Sequence, residues 1–113
     1  MAQEGNTAGT EATLGRYDAM VARLCESVLR SPSDLDSPRR EAAARGDLDG
    51  PAAAFARKVR ESSYRVVDED FAAMKAAGFT EEQIYDLTVS AALGAAKERL
   101  DRANEILGAR RSP

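Results

Sequence analysis

The chain is 113 residues long, with 43% hydrophobic and 31% charged side chains, a net charge of −3 and a pI near 5.0. An acidic balance with 5% aromatic residues and no tryptophan gives neither the basic footprint nor the stacking platforms that nucleic-acid binding uses. One cysteine and no histidine rule out an intrachain disulfide and a thiol-built zinc site, and remove the commonest general base and metal ligand.

Residues 1–11 (MAQEGNTAGTE) have no apolar period, so a disordered tail is expected there. They show no basic and apolar leader pattern either, which makes the cytoplasm the expected compartment. The expected domain is a single helical unit over 12–108, with a second tail at 109–113. Its first helix is predicted from about Thr13 to Arg30, with Leu14, Tyr17, Val21, Leu24 and Val28 in alternating three- and four-residue steps. Cys25 sits on the edge of that stripe and reads as a small packed hydrophobe, since no basic residue adjoins it in sequence to make a thiolate.

Ser31 to Ser37 (SPSDLDS) is a turn-rich break. Ser37-Pro38 then reads as an N-cap followed by proline in the first turn, opening a short, alanine-faced helix that should pack lightly and stop at Gly46. Asp49-Gly50-Pro51 repeats the start signal, and a third helix runs to about Ser62 with Phe55, Ala56 and Val59 inward. Arg57, Lys58, Arg60 and Arg65 read as a solvated basic face. Asp68 is expected to cap a fourth helix over 69–77 with Phe71 and Met74 inward, and Gly78 supplies its left-handed stop.

The longest predicted element is Thr80 to Gly108. Thr80 and Gln83 have capping-box spacing, Phe79 and Ile84 the spacing of a hydrophobic staple, and Glu81 and Glu82 favour the positive end of the helix dipole. Lys97/Asp101 and Glu98/Arg102 are opposite charges four residues apart. Leu87 to Ala96 (LTVSAALGAA) carries no charge, and seven of its ten residues are Ala, Gly, Ser or Thr. A segment apolar all round is expected to be buried all round, with Gly94 admitting a close neighbouring helix. Ten such residues are too few to cross a membrane, which needs about 20. A helix of about 28 residues is about 42 Å long. That exceeds the roughly 34 Å diameter implied by a radius of gyration near 13 Å for about 100 residues, so a second subunit is expected to cover the excess. The fold class is all-α, a bundle of about five helices with one long C-terminal helix, without strands, internal repeats or heptad runs beyond the first helix.

From Ala52 to Gly108 the order of signals is more specific. Val66-x-Asp68-Glu69-Asp70, then Met74, Ala77-Gly78-Phe79-Thr80-Glu81-Glu82 and Ile84, lead into an alanine-rich helix that reaches Glu98-Arg99-Leu100. This run resembles the carboxymuconolactone decarboxylase / alkylhydroperoxidase D-like superfamily, whose members close the corresponding helix with an Asn-Arg-Leu-like element. The resemblance covers the C-terminal half and implies an all-helical, ring-forming homo-oligomer (dimer, trimer or hexamer). Peroxidase-type members of that family work through a Cys-x-x-Cys pair with a following His and an upstream Glu. This chain has no such pair and no His, and Glu98 stands at the Asn position.

The expected function is therefore a non-catalytic, oligomeric structural or binding subunit, with no cofactor, metal, membrane or nucleic-acid partner and no assigned catalytic residue. Two alternatives stand beside it. One is an enzyme using Tyr64, Tyr85, Glu98 and Arg99 at a subunit interface, because Tyr85 and Arg99 lie about 21 Å apart along one helix and could meet only across subunits. The other is a partner subunit for a Cys-x-x-Cys-bearing relative.

Overall fold

The computed structural model describes the backbone of residues 2–111 and the side chains of residues 15–108 apart from Tyr17. Among these residues there are five α-helices and no strand: α1 (Ala2–Arg30), α2 (Ser37–Arg45), α3 (Ala52–Ser62), α4 (Asp68–Ala76) and α5 (Glu81–Arg111), with a single 3-10 turn at Ser63–Arg65. The all-α bundle with a long C-terminal helix is thus as expected. No helix of the described residues is long and apolar enough to cross a membrane. The side chains of Leu14 and Tyr17, and residues Met1, Ser112 and Pro113 of the expected tails, lie outside the described residues. The backbone at 2–11 and 109–111 is α-helical.

α5 is the axis of the fold. α2 and α3 pack along its first half, α4 lies between α3 and its start, and α1 contacts both α2 and α5. The Asp18–Asn104 contact, together with the junction of α1 and α2, sets α1 antiparallel to α5. The chain measures 62 × 28 × 20 Å and its radius of gyration is 17.6 Å, well above the compact value near 13 Å. The core mixes small and large residues: Leu35, Ala43, Ala56, Leu87 and Ala91 are buried around Phe55, Val59, Met74 and Ile84.

Local chemistry sets the start of α5. Thr80 Oγ1 accepts from the Gln83 N–H at 3.1 Å, and Gln83 Oε1 accepts from the Thr80 N–H at 3.1 Å, so both halves of the capping box are made. Ile84 is buried and Phe79 packs against the same core, which fixes the angle of entry. Before it, Gly78 takes φ 100°, and the Phe79 N–H reaches back to the Met74 carbonyl at 3.2 Å, closing α4.

Several expectations are corrected. α2 does not pack lightly: Arg40, Ala43 and Ala44 are buried, and a methyl built on Gly94 would overlap the Ala44 carbonyl, so the two backbones touch. Alanine makes this approach possible because it holds the axes apart by only one carbon. The N-cap of α2 is Asp36, whose carboxylate accepts from the Arg39 N–H at 3.2 Å. Ser37 is turned away instead, its hydroxyl donating to the Leu29 carbonyl at the end of α1. α4 is closed at its start by Asp70, which accepts from the Val67 N–H at 2.8 Å, and not by Asp68. Phe71 is 39% exposed, contributing an edge-to-face contact with Phe55 at 5.5 Å but remaining at the rim of the core.

Gly108 does not stop α5. It lacks a positive φ, and the helix runs on to Arg111 because no left-handed cap competes with continuation at an exposed end. Nor is the charge-free segment buried all round. Leu87, Ser90, Ala91 and Ala95 are buried, whereas Ala92 and Ala96 are exposed, since α2 and α3 cover only one side of it.

Candidate functional site

The four residues singled out in the sequence fall in three places. Tyr64 is 82% exposed in the 3-10 turn, with the Arg65 guanidinium 5.7 Å from its ring centre. Tyr85 is 70% exposed on the outer wall of a groove of about 360 Å³ lined by Phe71, Lys75, Glu81, Ile84 and Thr88. Glu98 and Arg99 converge elsewhere, on Arg60 of α3. The Arg60 guanidinium donates to the Glu98 carboxylate and to the Ala44 carbonyl, and Arg99 Nη2 donates to the Arg60 carbonyl at 2.8 Å.

Glu98 therefore pairs with Arg60 rather than with Arg102, which turns to Glu105 at 3.2 Å, while the Lys97–Asp101 pair forms as expected at 2.7 Å. The Arg60 cluster ties the ends of α2 and α3 to α5. Gly46, at φ 78°, gives Arg60 its room, since a Cβ there would stand 3.0 Å from Arg60 Nε. Chemically the cluster is a fixed cation met by a carboxylate and a carbonyl, which positions helices.

A second groove, of about 470 Å³, opens between α3 and α4 over Phe55, Ala73 and Met74. Lys58 and Asp70 face each other across it at 2.9 Å. The expected solvated basic face holds only for Arg57 and Arg65, which are exposed; Lys58 and Arg60 are instead partly buried and paired with carboxylates of other helices. The Val67 N–H and then the Lys58 ammonium hold the Asp70 carboxyl below the usual carboxylate range. Similarly, the Lys75 ammonium beside Glu81 lowers that carboxyl at the edge of the Tyr85 groove. Among the described residues no group of three or more His, Cys, Asp or Glu is placed to hold a metal ion.

Two residues not singled out in the sequence organise the molecule. Arg40 is 3% exposed, with Nε donating to the Leu35 carbonyl at 2.8 Å, Nη1 to the Val28 carbonyl at 2.6 Å, and Nη2 to the Ser31 carbonyl. A cation thus sits on the negative end of α1. Asp86 accepts from the Ser33 hydroxyl at 2.7 Å and the Leu35 N–H at 3.0 Å, which drives Leu35 into the core. The loop 31–36 is consequently part of the framework.

Several large apolar side chains stand exposed on α1 and the second half of α5. Met20 and Leu24 on α1, and Leu100, Ile106 and Leu107 on α5, are between 37% and 53% exposed. They lie where α1 and the second half of α5 run side by side beyond α2 and α3. Comparison with protein-family models, curated proteins and solved structures finds no match.

Proposed function

We propose that this chain is a non-catalytic, oligomeric structural or binding subunit. The observation that carries the reading is the apolar surface of the α1–α5 pair, where five large hydrophobic side chains stand open in the isolated chain. A compact 12.1 kDa monomer would expose about 6,000 Å², and this chain exposes 7707 Å². The excess reflects an elongated chain, and large apolar side chains left exposed along it favour association. Kinship with the carboxymuconolactone decarboxylase / alkylhydroperoxidase D-like proteins belongs to the same proposal; its support is the α4–Gly78–α5 hairpin and the quoted residues that build it.

Sedimentation of the purified chain at micromolar concentration tests the reading, with an oligomer expected. A monomer at that concentration would refute it. Assays with peroxide and a dithiol reductant are expected to give no turnover, and robust turnover would replace a structural role with an enzymatic one.

A further inference from the structure

Resting on that oligomeric reading, we infer that the occupant of the open face is a second copy of this chain, docked antiparallel along α5 about a twofold axis beside residue 98. Val89, Leu93, Ala96, Leu100, Ala103 and Leu107 recur in steps of four, three, four, three and four, the seam of a coiled coil. Val89 and Leu93 are half-buried, and the other four are exposed. At about 100° per residue the stripe lies about 70° round α5 from the edge bearing Lys97 and Asn104, which faces α1 through the Asn104–Asp18 contact. It turns away from Leu87, Ala91 and Ala95, which are buried under α2 and α3. Because α1 runs antiparallel, the same arithmetic puts Met20 and Leu24 on the same side of the helix pair.

The order of sizes along the stripe selects the partner. With the axis beside residue 98, Val89 meets the partner's Leu107, Leu93 meets the partner's Ala103, and Ala96 meets the partner's Leu100. Every layer then sets a large side chain against a smaller one, so the helices close without a void or an overlap. Parallel pairing would stack Leu on Leu and Ala on Ala, leaving gaps at alternate layers. Lys97 and Arg99, the cations nearest the axis, are already turned to Asp101 and to the Arg60 carbonyl, which draws like charges away from the contact. A face about 27 Å long and about 20 Å wide, the breadth of two helices, removes on the order of 1,100 Å² from water over two copies, enough for a specific interface. The product is a four-helix layer built from α1 and α5 of each copy.

The test uses the full chain carrying Cys25→Ser. Val89→Cys and Leu107→Cys are prepared separately, oxidised alone and oxidised after mixing. Copies of residue 107 stand about 27 Å apart in the antiparallel dimer, so each variant alone stays unlinked and the mixture forms a disulfide-linked dimer. In parallel, Leu100→Glu and Leu107→Glu are compared with the parent by sedimentation and circular dichroism. Both positions are already exposed, so helicity is expected to hold while the dissociation constant rises at least about 100-fold. Self-linking of Leu107→Cys, or an oligomer indifferent to both glutamates, would overturn the antiparallel seam while leaving the oligomeric reading in place. A monomeric parent chain would remove both.

Discussion

Replacing Gly94 by alanine sets two backbone effects against each other. Alanine is favoured over glycine in a helix interior by about 1 kcal/mol, so propensity alone predicts stabilisation. Opposing it, the new methyl would overlap the Ala44 carbonyl, with the Ala44 Cα and carbonyl carbon 2.5 Å away. These are backbone atoms and cannot rotate aside. α2 would have to move as a unit, yet Arg60 grips the same Ala44 carbonyl and Arg40 grips the end of α1. Overpacking of this kind costs about 3 kcal/mol at the upper end of the usual range, leaving a net loss of about 2 kcal/mol. For a chain of this size that lowers Tm by about 8–10 °C. Gly108→Ala supplies the control, since a Cβ there meets nothing within 4 Å, and it should gain up to about 1 kcal/mol. Thermal and urea unfolding followed by circular dichroism at one fixed protein concentration reads both signs. A neutral or stabilised Gly94→Ala would mean that α2 and α5 do not touch, and the arrangement of the first half of the bundle would fall with it.

Three further outcomes are expected. Arg40→Met keeps the aliphatic stem but strands the Val28, Ser31 and Leu35 carbonyls, and should destabilise by about 2–4 kcal/mol in urea unfolding; a loss below about 0.5 kcal/mol would show that the buried cation is dispensable. Thr80→Ala removes the hydroxyl half of the capping box and should cost about 1 kcal/mol, which Thr80→Ser should largely restore. The folded-state pKa values of Asp36, Asp70 and Glu81 are lowered by Arg39, by the Val67 N–H with Lys58, and by Lys75 respectively. Below about pH 4 the unfolded chain therefore binds more protons than the folded one, so stability present at neutral pH is lost as pH falls through those lowered values. Unfolding midpoints that stayed flat from pH 6 to pH 2 would contradict these pairings.

Much of the architecture was readable because its signals are local. The Thr80–Gln83 box, the left-handed Gly46 and Gly78, and the inward trio Phe55, Ala56 and Val59 each depend on residues within one or two turns. The corrections share the opposite property. Ser37 lost the cap of α2 to Asp36 because its hydroxyl found a carbonyl of α1, and Glu98 left Arg102 for Arg60, 38 residues away. Arg40 and Leu35 gave no sign in sequence, since an arginine among alanines and a leucine among turn residues each look solvent-bound until α1 and Asp86 are in place. The second heptad stripe was hidden by its own composition: with alanine at positions 96 and 103, hydrophobicity alone does not mark it. As for the candidate site, the sequence correctly kept Tyr85 and Arg99 apart, but it could not place Tyr64 on an open turn.

The Arg40 guanidinium knots three chain segments at one point: the last turn of α1, the 31–36 loop and α2 itself. None of the three can fray without releasing a hydrogen bond belonging to another. Their amides should therefore exchange with solvent as one cooperative block, slower than the far end of α1.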